Sequence, residues 1–132
     1  GGLPQFTTDQ PCKIITKKGY VIIELPMNTA SLFGQKFVFS GGGYFRVLPK
    51  WYLKKLFKTQ DYVMTYFHPR DFDTGQPMIP GLSAIRKFKS YYGIASCQNK
   101  LTNIINSVNI SDIDYDHFLN NNLFEISLLE KK

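Results

Sequence analysis

The chain has 132 residues, 43% of them hydrophobic and 20% charged, enough for one domain with a core and too few for two. Sixteen Lys and Arg against ten Asp and Glu leave a formal net charge of +6. The lysines fall in short scattered groups and are not interleaved with aromatics along a groove, which reads as solvated helix faces and argues against a nucleic-acid module. No apolar run reaches the length of a membrane helix and no charged-then-apolar leader opens the chain, so a soluble chain without a transmembrane segment is expected. Gly1-Gly2 without a Met reads as a tag scar or the start of a fragment. Cys12 and Cys97 lack ligand or disulfide spacing and are expected to be small core residues. Aromatic residues make up 15% of the chain, a share suited to a packed core, a sugar-stacking surface, or both.

In chain order, residues 1–12 read as an irregular arm. Lys17-Lys18-Gly19 is a turn between two β-branched, apolar flanks, 13–16 and 20–25, so a β-hairpin is expected, with Pro26 ending its second strand. Residues 27–36 read as a polar loop holding at most one short helical turn. A short strand at 37–40 runs into Gly41-Gly42-Gly43, where the backbone needs unusual dihedrals or a very close neighbour. Pro49 is placed to open a helix over 50–58, with Leu53, Leu56 and Phe57 on one face and lysines opposite. Trp51 on that helix is assigned to the core rather than to a sugar platform. The run from Tyr62 to Phe67 has almost no polar side chain and predicts a strand buried on both faces, ending at His68-Pro69. It is expected to pair with the strand at 37–39, the helix from Pro49 crossing between them.

A turn-rich loop follows over 71–81. Ser83 is placed to cap a helix with Ile85, Phe88 and Tyr92 in line, stopped by Gly93; Ser96 is placed to cap the next, with Leu101, Ile104, Ile105 and Val108 in repeat. Residues 111–120 predict another short helix, and 123–129 a strand or a final helical turn. The order of elements gives an α/β fold with too few strands to close on itself, a piece of a larger architecture. Either 1–132 is a single domain or a fragment, with 109–132 as extra C-terminal elements.

Three stretches, FSGGGYFRVLPKW (39–51), VMTYFHPRDFDTGQP (63–77) and LSAIRKFKSYYGIASCQNKLTNIIN (82–106), together resemble the C-terminal half of NodB-type polysaccharide deacetylases. The resemblance spans residues 2–108 and is nearest the subgroup with GGGYFR and FHP segments. It implies part of a distorted (β/α) barrel with closing C-terminal helices, its site at the C-terminal mouth of the strands. It implies a complete enzyme that hydrolyses acetyl groups from acetylated amino-sugars or glycans with zinc or another divalent metal, in the bacterial cytoplasm or periplasm, the cytoplasm favoured. His68 takes the position of the general acid facing the leaving amine; the alternative is a polar residue closing an exposed strand end. Tyr44, Arg46, Arg70 and Asp71 become candidate substrate-binding residues, with the alternative that Arg46 is structural and pairs with Asp71 or Asp73.

The departures are equally specific. The chain has no Asp-Asp pair and no His-x-x-x-His, so it is expected to hold no catalytic metal and to be inactive alone. Arg70 stands where the subgroup commonly has Trp, and Asp71 where it commonly has Glu. His117, following Asp112, Asp114 and Asp116, lacks the Gly and distal Glu of a calcium loop and reads as an acidic first helical turn. The expected partners are an acetylated glycan and either the missing N-terminal half or a second copy, unless residues 113–129 cover the gap. The alternative function is a non-catalytic carbohydrate-binding or scaffold domain.

Overall fold

The computed structural model describes residues 8–32, 34–110 and 124–127. The first hairpin forms as expected. Strand β1 (Cys12–Ile15) pairs antiparallel with β2 (Val21–Glu24), from Cys12↔Glu24 to Ile15↔Val21. Its turn is closed by the Gly19 N–H on the Thr16 carbonyl at 2.9 Å, and Gly19 takes a φ of +79° that a side chain would resist. Strand β5 (Phe124–Ser127) adds parallel to the other edge of β1, giving the order β2-β1-β5.

Residues 27–36 correct the loop expectation. They contain β3 (Thr29–Leu32) and the start of β4 (Gln35–Val38), an antiparallel hairpin turned at Gly34 with φ +77°. Thr29 donates its hydroxyl to Asp9 Oδ2 at 2.8 Å, so this polar side chain of β3 has a partner within the fold. Beyond β4 the chain carries Phe39 and Ser40 into the interior, both fully buried.

The segment 62–67 is the second correction. It is extended but belongs to no strand ladder, and Tyr66 is 54% exposed. A side chain replaces the missing strand neighbour: buried Asn28 donates Nδ2 to the Tyr62 carbonyl (2.8 Å) and accepts the Met64 N–H on Oδ1 (2.9 Å). The backbone needs of an apolar run can thus be met without a sheet. The contact expected with 37–39 falls just beyond it, as a single parallel bridge between Gly41 and Tyr66.

Gly41 explains one of the three glycines. A Cβ there would overlap the Tyr66 carbonyl, so the bridge exists only because the side chain is absent. Gly42, at φ +55°, then turns the chain into α1 (Gly42–Val47). After Pro49 comes α2 (Lys50–Lys58), burying Leu53 and Phe57. The core gathers Phe39, Phe45, Leu53, Phe57, Cys97 and Ile104, with Phe67 and Phe72 packed against it. Phe45 meets Phe67 edge-on at 5.0 Å, and Phe39 meets Phe57 at 5.8 Å, geometries that aromatic quadrupoles favour.

Ser83 caps α3 (Ala84–Tyr91) as expected, accepting the Arg86 N–H. Gly93, at φ +75°, separates it from α4 (Ile94–Ile105). The cap position of α4 is Gly93, so Ser96 lies inside the first turn, its hydroxyl donating to the Gly93 carbonyl. The result is a mixed α/β fold. Among the described residues the strands form one sheet of three and one of two, and no barrel is formed, since strands in two separate small sheets cannot close. The predicted helix at 111–120, with Asp112, Asp114, Asp116 and His117, lies outside the described residues. Of 123–129, residues 124–127 are strand.

Candidate functional site

The GGGYFR and FHPRD segments meet through their charged residues. Arg46 projects from the last turn of α1 and is 6% exposed; Asp71 ends the 3-10 turn Pro69–Asp71 and is 4% exposed. Arg46 Nε lies 3.3 Å from Asp71 Oδ1, an ion pair by distance without the alignment of a hydrogen bond. Asp71 Oδ2 accepts the His68 backbone N–H at 3.0 Å. A buried cation therefore faces a buried carboxylate, and the carboxylate fixes the main chain of His68.

The rest of the guanidinium goes to a helix end. Arg46 Nη1 donates to the carbonyls of Ser90 (3.0 Å) and Tyr92 (3.2 Å), and Nη2 to that of Lys89 (2.9 Å), all at the C-terminus of α3. Lys100 on α4 does the same for α1, its ammonium donating to the carbonyls of Phe45, Arg46 and Leu48 at 3.1, 2.7 and 2.8 Å. Cations at helix C-termini satisfy orphan carbonyls and meet the negative end of the dipole. Burial pulls the Lys100 ammonium below the ordinary lysine range. Buried Cys97 sits among these groups; burial pushes its thiol up, Asp71 adds to the rise, and Arg46 and Lys100 oppose it.

Of the five sequence candidates, the structure joins Arg46, Asp71 and His68. The alternative weighed for Arg46, a structural pair with Asp71, is the contact that forms, and both side chains are largely withdrawn from solvent. His68, Arg70 and Tyr44 are exposed. Tyr66 stands edge-on to the His68 ring with centroids 4.8 Å apart, and Tyr44 leans on Phe37 at 5.2 Å. His68 does not end a buried strand; it opens the 3-10 turn at the surface. Trp51 corrects a further expectation, since it is 71% exposed and not core. Asn28 and Lys100 were not singled out by sequence reasoning: their partners are backbone atoms distant in the chain, and no side-chain pattern announces them.

An open groove of about 580 Å³ lies where the α1–α2 turn faces the start of α4, with Pro49, Lys50, Tyr92, Ser96 and Lys100 in its lining. His68 is not among its walls. Among the described residues no group of three or more His, Cys, Asp or Glu is placed to hold a metal, and no helix is long and apolar enough to cross a membrane.

A family model described as a domain of unknown function (DUF3473) matches residues 1–116. The chain belongs to this family. No curated protein and no solved structure gives a significant match. The DUF3473 match takes in both hairpins, α1 to α4 and every candidate residue, and stops short of β5.

Proposed function

We propose that this DUF3473 chain is the C-terminal part of a NodB-like polysaccharide deacetylase, the setting in which the family is known. The observation that carries the reading is the Arg46–Asp71–His68 linkage, which draws the two most specific motif segments into one unit. In this reading the complete enzyme hydrolyses acetyl groups from an acetylated glycan. His68 gives its proton to the departing amine, general-acid work that imidazole side chains perform most often. Its exposure suits a residue meeting a substrate held partly by other protein. Tyr44 and Arg70, also exposed, are available to the sugar, while Arg46 and Asp71 act behind His68.

In this reading the metal of the complete enzyme is held by its other half, and the present chain, with no Asp-Asp pair and no His-x-x-x-His, is expected to release no acetate alone. Apolar side chains left open on α3 and at its C-cap, Ile85 at 70%, Phe88 at 49% and Tyr92 at 52% exposure, support packing against further protein, either the N-terminal half or a second copy. A non-catalytic carbohydrate-binding role remains the second reading, favoured by the exposed rings of Tyr44 and Tyr66.

The test is His68→Ala in the full-length protein that carries this domain. Acetate release should fall about 100-fold or more, the usual worth of a general acid, with glycan binding preserved. Undiminished turnover would remove His68 from the chemistry.

A further inference from the structure

The chain contains a single tryptophan, and α2 holds it in solvent at 71% exposure. Leu53 and Phe57 bury the inner side of that helix, which leaves positions 51, 54, 55 and 58 on the outer side at spacings of three, four and seven. Those positions are Trp51, Lys54, Lys55 and Lys58, all exposed. The backbone positions of the three lysines lie about 4.5 to 10.5 Å along the axis from that of Trp51 at the standard rise per residue. Helix α2 carries no carboxylate, and among the described residues none of these lysines is in an ion pair. Tyr52 braces the indole at 5.6 Å with its ring inclined by 61°. Lys50, at the start of the helix, lines a shallow groove with Ser96, Asn99 and Asn103.

We propose that the outer face of α2 binds an acidic polysaccharide, a pyranose ring stacking on Trp51 and its carboxylates meeting Lys54, Lys55 and Lys58. A flat indole offers a sugar ring an apolar platform, and unpaired ammonium groups beside it select for anionic chains. Single-stranded nucleic acid fits less well, because its binders stack successive bases on several aromatic platforms. Here there is one platform, and Tyr52 is inclined against it. The inference rests on reading the chain as part of a glycan-processing enzyme, and it narrows the glycan to an anionic one.

Because Trp51 is the sole tryptophan, its fluorescence reports contact directly. The 132-residue chain is titrated with oligogalacturonate, with a neutral chito-oligosaccharide and with oligo(dT). Oligogalacturonate should give a saturable change, at least tenfold stronger than the neutral sugar and weakened by added salt. Calorimetry on Trp51→Ala, and fluorescence on Lys54→Gln/Lys55→Gln, should each show at least a tenfold loss, with circular dichroism unchanged because the sites are exposed. Glycan binding is read here on the chain itself and acetate release on the full-length protein, so a failure here is separate from a failure of the deacetylase reading. No response to oligogalacturonate, equal binding of the neutral sugar, tighter binding of oligo(dT), or binding that survives Trp51→Ala would each overturn the proposal.

Discussion

Asp71→Asn isolates the charge of the buried pair. Asparagine is nearly isosteric and keeps an acceptor for the His68 N–H, so the change removes the negative charge facing Arg46 and little else. Breaking a buried pair from one side costs about 3–5 kcal/mol, because the remaining ion stays desolvated. Here the remaining guanidinium keeps three carbonyls at the negative end of α3, which offsets about 1–2 kcal/mol. The net expectation is about 1–4 kcal/mol, at its upper end a large part of the 5–15 kcal/mol typical of a domain. The assay is urea unfolding followed by circular dichroism, read as a shift of midpoint at constant slope. Arg46→Met and the double variant complete a cycle, in which the coupling should exceed about 1 kcal/mol, since the double variant strands no charge. A cost below about 0.5 kcal/mol, the worth of an exposed pair, or simple additivity would refute the account of a buried, mutually dependent pair.

The glycine triplet separates into unlike positions. Gly41→Ala would drive a methyl into the Tyr66 carbonyl, and should destabilise by about 1–3 kcal/mol; Gly43→Ala, whose nearest neighbours stand 3.9 Å away inside α1, should be neutral or gain up to about 1 kcal/mol in the same urea assay. Tyr62 donates its hydroxyl to the Pro26 carbonyl, and burial pushes its pKa up to about 12 from 10.0. The folded chain therefore holds that proton longer than the unfolded one. Stability from this group is full below about pH 10 and is lost as pH rises toward 12, at less than the ~1.4 kcal/mol per pH unit of a fully shifted group because the ring is partly exposed. Tyrosinate absorbance should show a late-titrating component that Tyr62→Phe removes.

The features legible in the sequence were those set by local chemistry. Lys17-Lys18-Gly19, Pro49, Ser83 and Gly93 each act on their own backbone, and the hairpin, α2 and α3 follow within a residue or two. What the sequence concealed depends on distant partners. Strand β3 is four residues of weak β-character that form because β4 lies opposite and Asp9 takes the Thr29 hydroxyl. The apolar run 62–67 carries the periodicity of a buried strand, but Asn28 from another part of the chain supplies its backbone partner. Trp51 was assigned inward because large aromatics usually are, and the helix phase set by Leu53 and Phe57 turns it outward instead. The site was half legible: the pairing of Arg46 with Asp71 was one of two stated alternatives, while the Lys100 clamp had no signal.

Those clamps explain why an arginine belongs at position 46 apart from any contact with sugar. Lys100 of α4 closes the C-terminus of α1, and Arg46 of α1 closes the C-terminus of α3, with Gly93 as the hinge between α3 and α4. A Cβ at Gly93 would come within 2.7 Å of the Arg46 backbone carbonyl, the same oxygen that Lys100 holds, so the close approach of α1 to the α3–α4 junction needs a glycine there. The same guanidinium that ends α3 also faces Asp71, and Asp71 holds the main chain of His68. An exposed residue is ordinarily free to drift with its loop; here its backbone is tied to the interior through a buried carboxylate. A side chain meant to meet a large substrate needs both properties, an accessible ring and a fixed base. Lysine at position 46 would keep the charge but has no planar fork to span three carbonyls and a carboxylate at once, so it should loosen α3 and His68 together.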